Sequence, residues 1–156
     1  MKRLGIDYEV LRAIKPDIIM ASLSGYGQTG PYAQRGAYSN LAEALSGVMS
    51  VTGYPDGKPT GSGVAFGDSI GGLFTALGIM YALFHRQRTG EGQYLEVSMS
   101  DAMLHMIMQG IVQYTMTGVE PGRIGCRDLS AYPYDIFEAK DGFDGVNCFW
   151  APECHY

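Results

Sequence analysis

The longest apolar run in the chain is "LFTALGIMYALF", residues 73–84. At 12 residues it is too short to cross a bilayer, which takes about 20. It reads instead as the middle of a helix over 70–88. Asp68 or Ser69 can cap the start of that helix. His85, Arg86 and Arg88 supply the cations that a helix C-terminus favours, and Gly90 stops it. The segments on either side read as strands. "DIIMASLSGYG" gives a buried strand over 18–23 that runs into glycines. "QYLEVSM" sets Leu95, Val97 and Met99 against Tyr94, Glu96 and Ser98, the period-two pattern of a half-buried strand.

The other segments extend this alternation. "DYEVLRAIKP" is a short helix with Asp7 as N-cap, Val10, Leu11 and Ile14 on one face, and Pro16 closing it. "NLAEALSGVM" (40–49) has helical spacing, and Asp101 caps a further helix, "AMLHMIMQGIVQYTM". "YPYDIFEAKDGF" is a strand that enters a turn at "KDG". Between them lie the turn-rich loops "GYGQTGPYAQRGAYSN" and "TGYPDGKPTGSG". Strand, helix and strand in alternation predict an α/β layered fold with some parallel pairing. The 156 residues suffice for one domain that buries about two thirds of its unfolded surface.

Charge and cysteine usage narrow the function classes. A formal net charge of −5 argues against non-specific nucleic-acid binding, which needs a basic face. A polyanionic ligand is left with a local cluster such as Lys2, Arg3 and Arg35. "MKRLGIDYEV" has basic residues but no apolar stretch behind them, so it is not read as a secretory signal. Cys126, Cys148 and Cys154 are odd in number and lack framework spacing, which reads as reduced thiols in a cytoplasmic protein. Cys148, Cys154 and His155 form only part of the four-ligand set a structural zinc requires, so no metal is expected.

Asp68 stands in "GVAFGDSIGG" (63–72). Helix capping alone would explain it. However, Gly61, Gly63, Gly67, Gly71 and Gly72 remove side chains around it, and glycine in a helical turn costs roughly 1 kcal/mol against alanine. Such a pattern is what the close approach of a bulky ligand requires. A helix N-terminus favours an ionised carboxylate by about 0.3–1 kcal/mol, and its amides can stabilise an oxyanion. A carboxylate is a weak nucleophile and needs an activated acyl group such as a thioester, phosphate or glycosyl donor. The residues alone leave both a cap and a nucleophile open.

Three stretches in order, "SGYGQTGPYAQRGAYSN", "DGKPTGSGVAFGDSIGG" and "ALFHRQRTGEGQYLEVSMSDA", resemble the class III coenzyme A-transferases (the CaiB/BaiF family). These include the formyl-CoA:oxalate and crotonobetainyl-CoA:carnitine transferases. The resemblance implies a Rossmann-like layered fragment of that fold and makes Asp68 the nucleophile. The aspartate would attack an acyl-CoA thioester to give a mixed anhydride, and CoA thiolate would return to form an aspartyl-CoA thioester. A small carboxylic acid acceptor would then take the CoA, without ATP, metal or a permanently bound cofactor. By the same resemblance Gly36, Ala37, Tyr38 and Ser39 form a CoA-contacting turn. Arg3 lies near the CoA phosphates, and Met99 lies along the CoA chain. The implied partners are acyl-CoA and the acceptor acid, with no nucleic acid and no membrane.

Position 38 bears on the reaction type. The similar 2-methylacyl-CoA racemases carry a histidine here, whereas Tyr38, with a side-chain pKa near 10, is a poor base at neutral pH. That favours transfer over racemisation. His85 is read as a surface residue and His105 as core, and Met103, Met106 and Met108 as core or subunit-contact packing.

Family members are much longer chains, and the resemblance covers roughly residues 3–143. The N-terminal nucleotide-binding part and the glycine-rich loop over the aspartate are therefore expected to be missing. Residues 1–143 are read as a partial CoA-transferase domain. Residues 144–156, "DGVNCFWAPECHY", are read as an atypical tail without strand alternation, of the kind a truncation or frame-shift produces. Relatives form interlocked homodimers, which this piece is not expected to thread. Little or no turnover is expected from it. A racemase-like enzyme and a non-catalytic CoA-ester-binding remnant remain the alternatives.

Overall fold

A computed structural model of the protein describes residues 1–128 and 131–147. Its centre is a parallel pair, β1 (Met20–Ser24) and β2 (Tyr94–Ser98), in register from Met20 opposite Tyr94 to Ser24 opposite Ser98. The connection between them contains α2 (Ser39–Leu45), α3 (Val48–Val51) and the long α4 (Phe66–Thr89). A parallel pair needs such a crossover, usually helical, to bring the chain back to the same end. The α/β layering and parallel pairing expected from the alternation are both present.

α4 approaches the strands through small residues spaced along one stripe. A Cβ on Gly71 would lie 3.0 Å from Met99 Cγ and 3.1 Å from Leu23 Cδ1, and one on Gly78 would lie 3.7 Å from Leu95 Cδ1. Gly67, Gly71 and Ala82 are buried. Two of the glycines read as clearing space around Asp68 therefore serve helix packing. Gly90 ends α4 at φ 78°, and its N–H donates to Arg86 O at 2.8 Å.

Near that end Arg86 reaches back to Asp17, at 3.3 Å to its carbonyl and 3.7 Å to its carboxylate, while Lys15 Nζ lies 2.9 Å from the same carboxylate. The Lys15 hydrogen bond is the chief reason the Asp17 carboxyl titrates below its ordinary range. A lowered folded-state pKa means this contribution is complete at neutral pH and is lost only as pH falls through the lowered value.

Several boundaries differ from the sequence pattern. The helix expected over 40–49 is split by Gly47, whose φ of 88° leaves the right-handed region, into α2 and α3. The helix expected from Asp101 is capped instead by Ser98, whose Oγ accepts from Asp101 N at 3.3 Å. It runs as α5 (Met99–Leu104), a short 3-10 turn (His105–Ile107), then α6 (Met108–Thr117). Met99 thus begins a helix rather than ending a strand. Asp7 caps α1 (Tyr8–Ile14) as expected, accepting from Val10 N at 3.2 Å, but α1 buries no residue.

β3 (Tyr134–Ala139) and β4 (Gly142–Asn147) form an antiparallel hairpin across the expected "KDG" turn. β4 carries strand through Asn147, inside the stretch read as lacking it. Pairing of Asp135 with Val146 and of Tyr134 with Asn147 outweighs the weak side-chain alternation there. Cys148, Cys154 and His155, the partial ligand set, lie outside the described residues.

The core gathers Ala42, Val48, Met99 and Met103, with Ala37, Phe66, Ile70 and Ile107 packed against them. Met103 is buried, while Met106 and Met108 are exposed. His105 is exposed rather than core, its ring edge-on to Phe74 at 5.8 Å. Away from the strands α4 leaves Leu73, Leu77, Met80, Tyr81 and Phe84 exposed. By length and composition α4 could cross a bilayer, with a mean hydropathy of 1.3 over its apolar window. Here it lies against a strand pair instead. An apolar helix face of this kind predicts that the chain binds the dye ANS in its folded state. A fluorescence rise that disappears on unfolding is the expected result, and no rise would mean this face is covered.

Candidate active site

The site is built at the C-terminal ends of β1 and β2, the place where open α/β folds put ligands. β1 ends into Gly25, whose carbonyl accepts from Ser100 N at 3.0 Å, Ser100 Oγ at 2.9 Å and Ser98 Oγ at 3.3 Å. That cluster ties the start of α5 to the end of β1. Gly25 has no room for a side chain, because Ala37 packs directly on it and Met99 Cε lies within 3.8 Å of where its Cβ would stand. The loop after β1 is thereby pinned, and it leads through Gly36, Ala37 and Tyr38 into Ser39 at the first position of α2.

Ser39 links this loop to α4. Its Oγ accepts the Gly67 N–H at 2.8 Å. The contact is close, since a Cβ on Gly67 would come within 2.9 Å of Ser39 O. The next residue is Asp68, in the first turn of α4 and exposed. Its carboxylate has no hydrogen bond or ion pair from another described residue.

Asp68 is not the cap. Ala65 holds that position without a side-chain bond, and Ser69, the other expected cap, sits in the helix with its Oγ donating to Ala65 O at 2.9 Å. The oxyanion reading narrows as well. Phe66 N donates to Val64 O at 2.8 Å and Gly67 N is held by Ser39. That leaves Asp68's own first-turn amide without an acceptor among the described residues.

Ala37, Ser39, Met99 and Asp68 are therefore gathered around the start of α4. Met99 is 8% exposed and belongs to the core cluster, so it offers a ligand only an edge. Tyr38 is 75% exposed and occupies the N-cap position of α2 without a side-chain cap bond. Gly36 is open, with nothing within 4 Å of a Cβ built on it. Arg3 stands apart, lining a groove with Ser22, Gln28, Gln34 and Glu96 that none of the other expected site residues lines. Arg35 lies with its guanidinium 4.2 Å from the Tyr32 ring, and Tyr32 meets Tyr26 edge-on at 5.7 Å.

Glu43 is the residue the sequence reading passed over. It is 1% exposed. Its Oε2 accepts from Ser62 N at 2.9 Å, and its Oε1 faces Ser62 Oγ at 3.1 Å and Ser39 Oγ at 3.4 Å. A glutamate in "NLAEALSG" looks like a solvated helix residue. The one local signal was Ser39 four residues earlier, on the same helix face.

An exposed aspartate thus stands at the start of the crossover helix, beside a pinned glycine loop of an α/β fold. The family model described as CoA-transferase family III matches residues 1–154, and the chain belongs to that family. It is 45% identical over 142 residues to the acetyl-CoA:oxalate CoA-transferase of Acetobacter aceti, a match that covers 90% of this chain and 36% of the relative. It is 40% identical over 153 residues to the succinyl-CoA:mesaconate CoA-transferase of Haloarcula hispanica, covering 96% of this chain and 39% of that one. The crystal structure of a CaiB/BaiF family protein from Brucella suis superposes with a TM-score of 0.86 at 37% identity, over 94% of this chain and 39% of the other. The chain thus spans between a third and two fifths of the length of these relatives.

Proposed function

We propose that this chain carries the acyl-accepting half of a CoA-transfer site, with Asp68 as the nucleophile. The observation that carries the reading is the exposed Asp68 carboxylate, unpaired among the described residues, at the start of α4. An Asp68 oxygen attacks the thioester carbon of an acyl-CoA, the C–S bond breaks, and CoA thiolate leaves a mixed anhydride. The thiolate returns to the aspartyl carbonyl and releases the donor acid as its carboxylate. The acceptor carboxylate attacks the resulting aspartyl-CoA thioester, and the returning thiolate forms the new acyl-CoA and frees Asp68. Each step exchanges one activated acyl group for another, so no external energy source enters.

The names of the relatives point to small dicarboxylic acids as acceptors: oxalate, mesaconate and, in the Agrobacterium fabrum relative, the succinate–glutarate pair. Gly36, Ala37, Tyr38 and Ser39 are the proposed CoA-contacting turn, Met99 flanks it, and Arg3 is the proposed phosphate contact from a neighbouring groove. Substrate positioning accounts for up to about 7–11 kcal/mol of such a barrier, and the shared region is 36–39% of the relatives' length, so slow turnover is expected of these residues by themselves. The test offers acetyl-CoA or succinyl-CoA with oxalate, mesaconate or glutarate and follows the new CoA ester by mass spectrometry. Transfer to one of these acids is the expected result. Exchange of the α-proton of a 2-methylacyl-CoA with deuterated solvent, with no CoA transfer, would establish the racemase reading instead.

A further inference from the structure

We infer that Glu43 is a positioning residue for the Asp68 turn, a role that rests on the reading of Asp68 as nucleophile. A carboxylate that is 1% exposed is costly to bury unless hydrogen bonds compensate it. Here the compensating donors come from both sides of Asp68. Ser62 N and Oγ belong to the glycine-rich segment that leads into α4, while Ser39 is the first residue of α2.

The Ser39 hydroxyl has a single proton. With that proton directed to Glu43 Oε1, a lone pair is left facing the Gly67 N–H, which it accepts at 2.8 Å. The Glu43 Oε1 acceptor thereby sets the direction of the Ser39 hydroxyl, and that direction holds the amide next to Asp68. The same carboxylate fixes Ser62, six residues before Asp68. Both approaches to the nucleophile are anchored on one buried carboxyl group.

Glutamine in this place would keep the volume but not the pattern. One of its two heteroatoms is a donor, and it would face the Ser39 and Ser62 hydroxyls or the Ser62 amide. The Ser62 N–H holds the glutamine oxygen at the Oε2 place, which puts the nitrogen toward Ser39; Ser39 would then have to turn its proton away and share its lone pairs between two donors. The local turn loosens while the helix remains.

The test compares wild type, Ser39→Ala and Glu43→Gln by residue-resolved amide hydrogen exchange, with the melting midpoint and the amides of Ala76 and Ala82 in central α4 as controls. The expected result is at least tenfold faster exchange at Gly67 in both variants, and at Ser62 in Glu43→Gln, with the central amides unchanged. The second readout is the rate of Asp68 acylation by acetyl-CoA against the affinity for it. The rate falls about tenfold or more while affinity holds. Unchanged exchange at Gly67 overturns the inference, and so does a parallel loss of protection throughout α4, which would make Glu43 a general stability residue. If Gly67 responds as expected but wild type shows no acylation at Asp68, the ordering role stands and the nucleophile reading fails.

Discussion

Asp68→Asn lowers CoA transfer by on the order of 10⁴-fold or more, the scale seen when a covalent nucleophile is removed. Asparagine preserves the volume and leaves the fold intact, because Asp68 is exposed and the cap position belongs to Ala65. The stability change is limited to the loss of an anion near a helix N-terminus, about 0.3–1 kcal/mol. Activity and stability therefore separate. A variant that melts like wild type and transfers no CoA is the expected outcome, read by mass spectrometry of the CoA esters and by thermal denaturation. A variant that keeps its activity while its melting point falls would return Asp68 to a structural role.

Gly92→Ala has the largest expected effect on stability. A Cβ at position 92 would overlap the Ile18 carbonyl oxygen and stand 2.6 Å from Ile18 N. These are backbone atoms and cannot rotate aside. They lie just before β1, where Met20 N donates to Gln93 O at 3.0 Å to start the parallel pairing. Relief of the overlap has to separate the two strands at their first rung. Overpacking of this kind costs about 3 kcal/mol, the upper end of its usual range, from a total of about 5–15 kcal/mol. For a chain of this size that lowers Tm by roughly 6–12 °C, as measured by circular dichroism. A midpoint within a degree of wild type would mean the two segments are not in contact.

The sequence carried the layering because its strongest patterns are periodic. The apolar run 73–84 and the alternation in "YLEVS" each allow a single secondary structure. Boundaries were harder where one residue's backbone angle decides, as at Gly47, or where two good caps compete, as Ser98 and Asp101 do. The role of the glycines around Asp68 was half legible. Gly67 and Gly71 look like openings for a ligand until the packing of α4 on Ser39, Leu23 and Met99 is known. Glu43 was illegible for a related reason. Its burial comes from Ser62, 19 residues on, and no local pattern reports a contact across that distance. The residues gathered at the α4 start, Ala37, Ser39 and Met99 beside Asp68, were named through resemblance to a family. Arg3, named the same way, stands in a neighbouring groove.

In the proposed reaction Asp68 accepts the acyl group or CoA covalently. The most direct measurement incubates the protein with acetyl-CoA in the presence of hydroxylamine, digests it, and sequences the modified peptide by mass spectrometry. The expected product is an aspartyl hydroxamate at Asp68 that forms only with the acyl-CoA and is absent in Asp68→Asn. Transfer of CoA that proceeds with Asp68 unmodified, or a hydroxamate at another carboxylate, would contradict it.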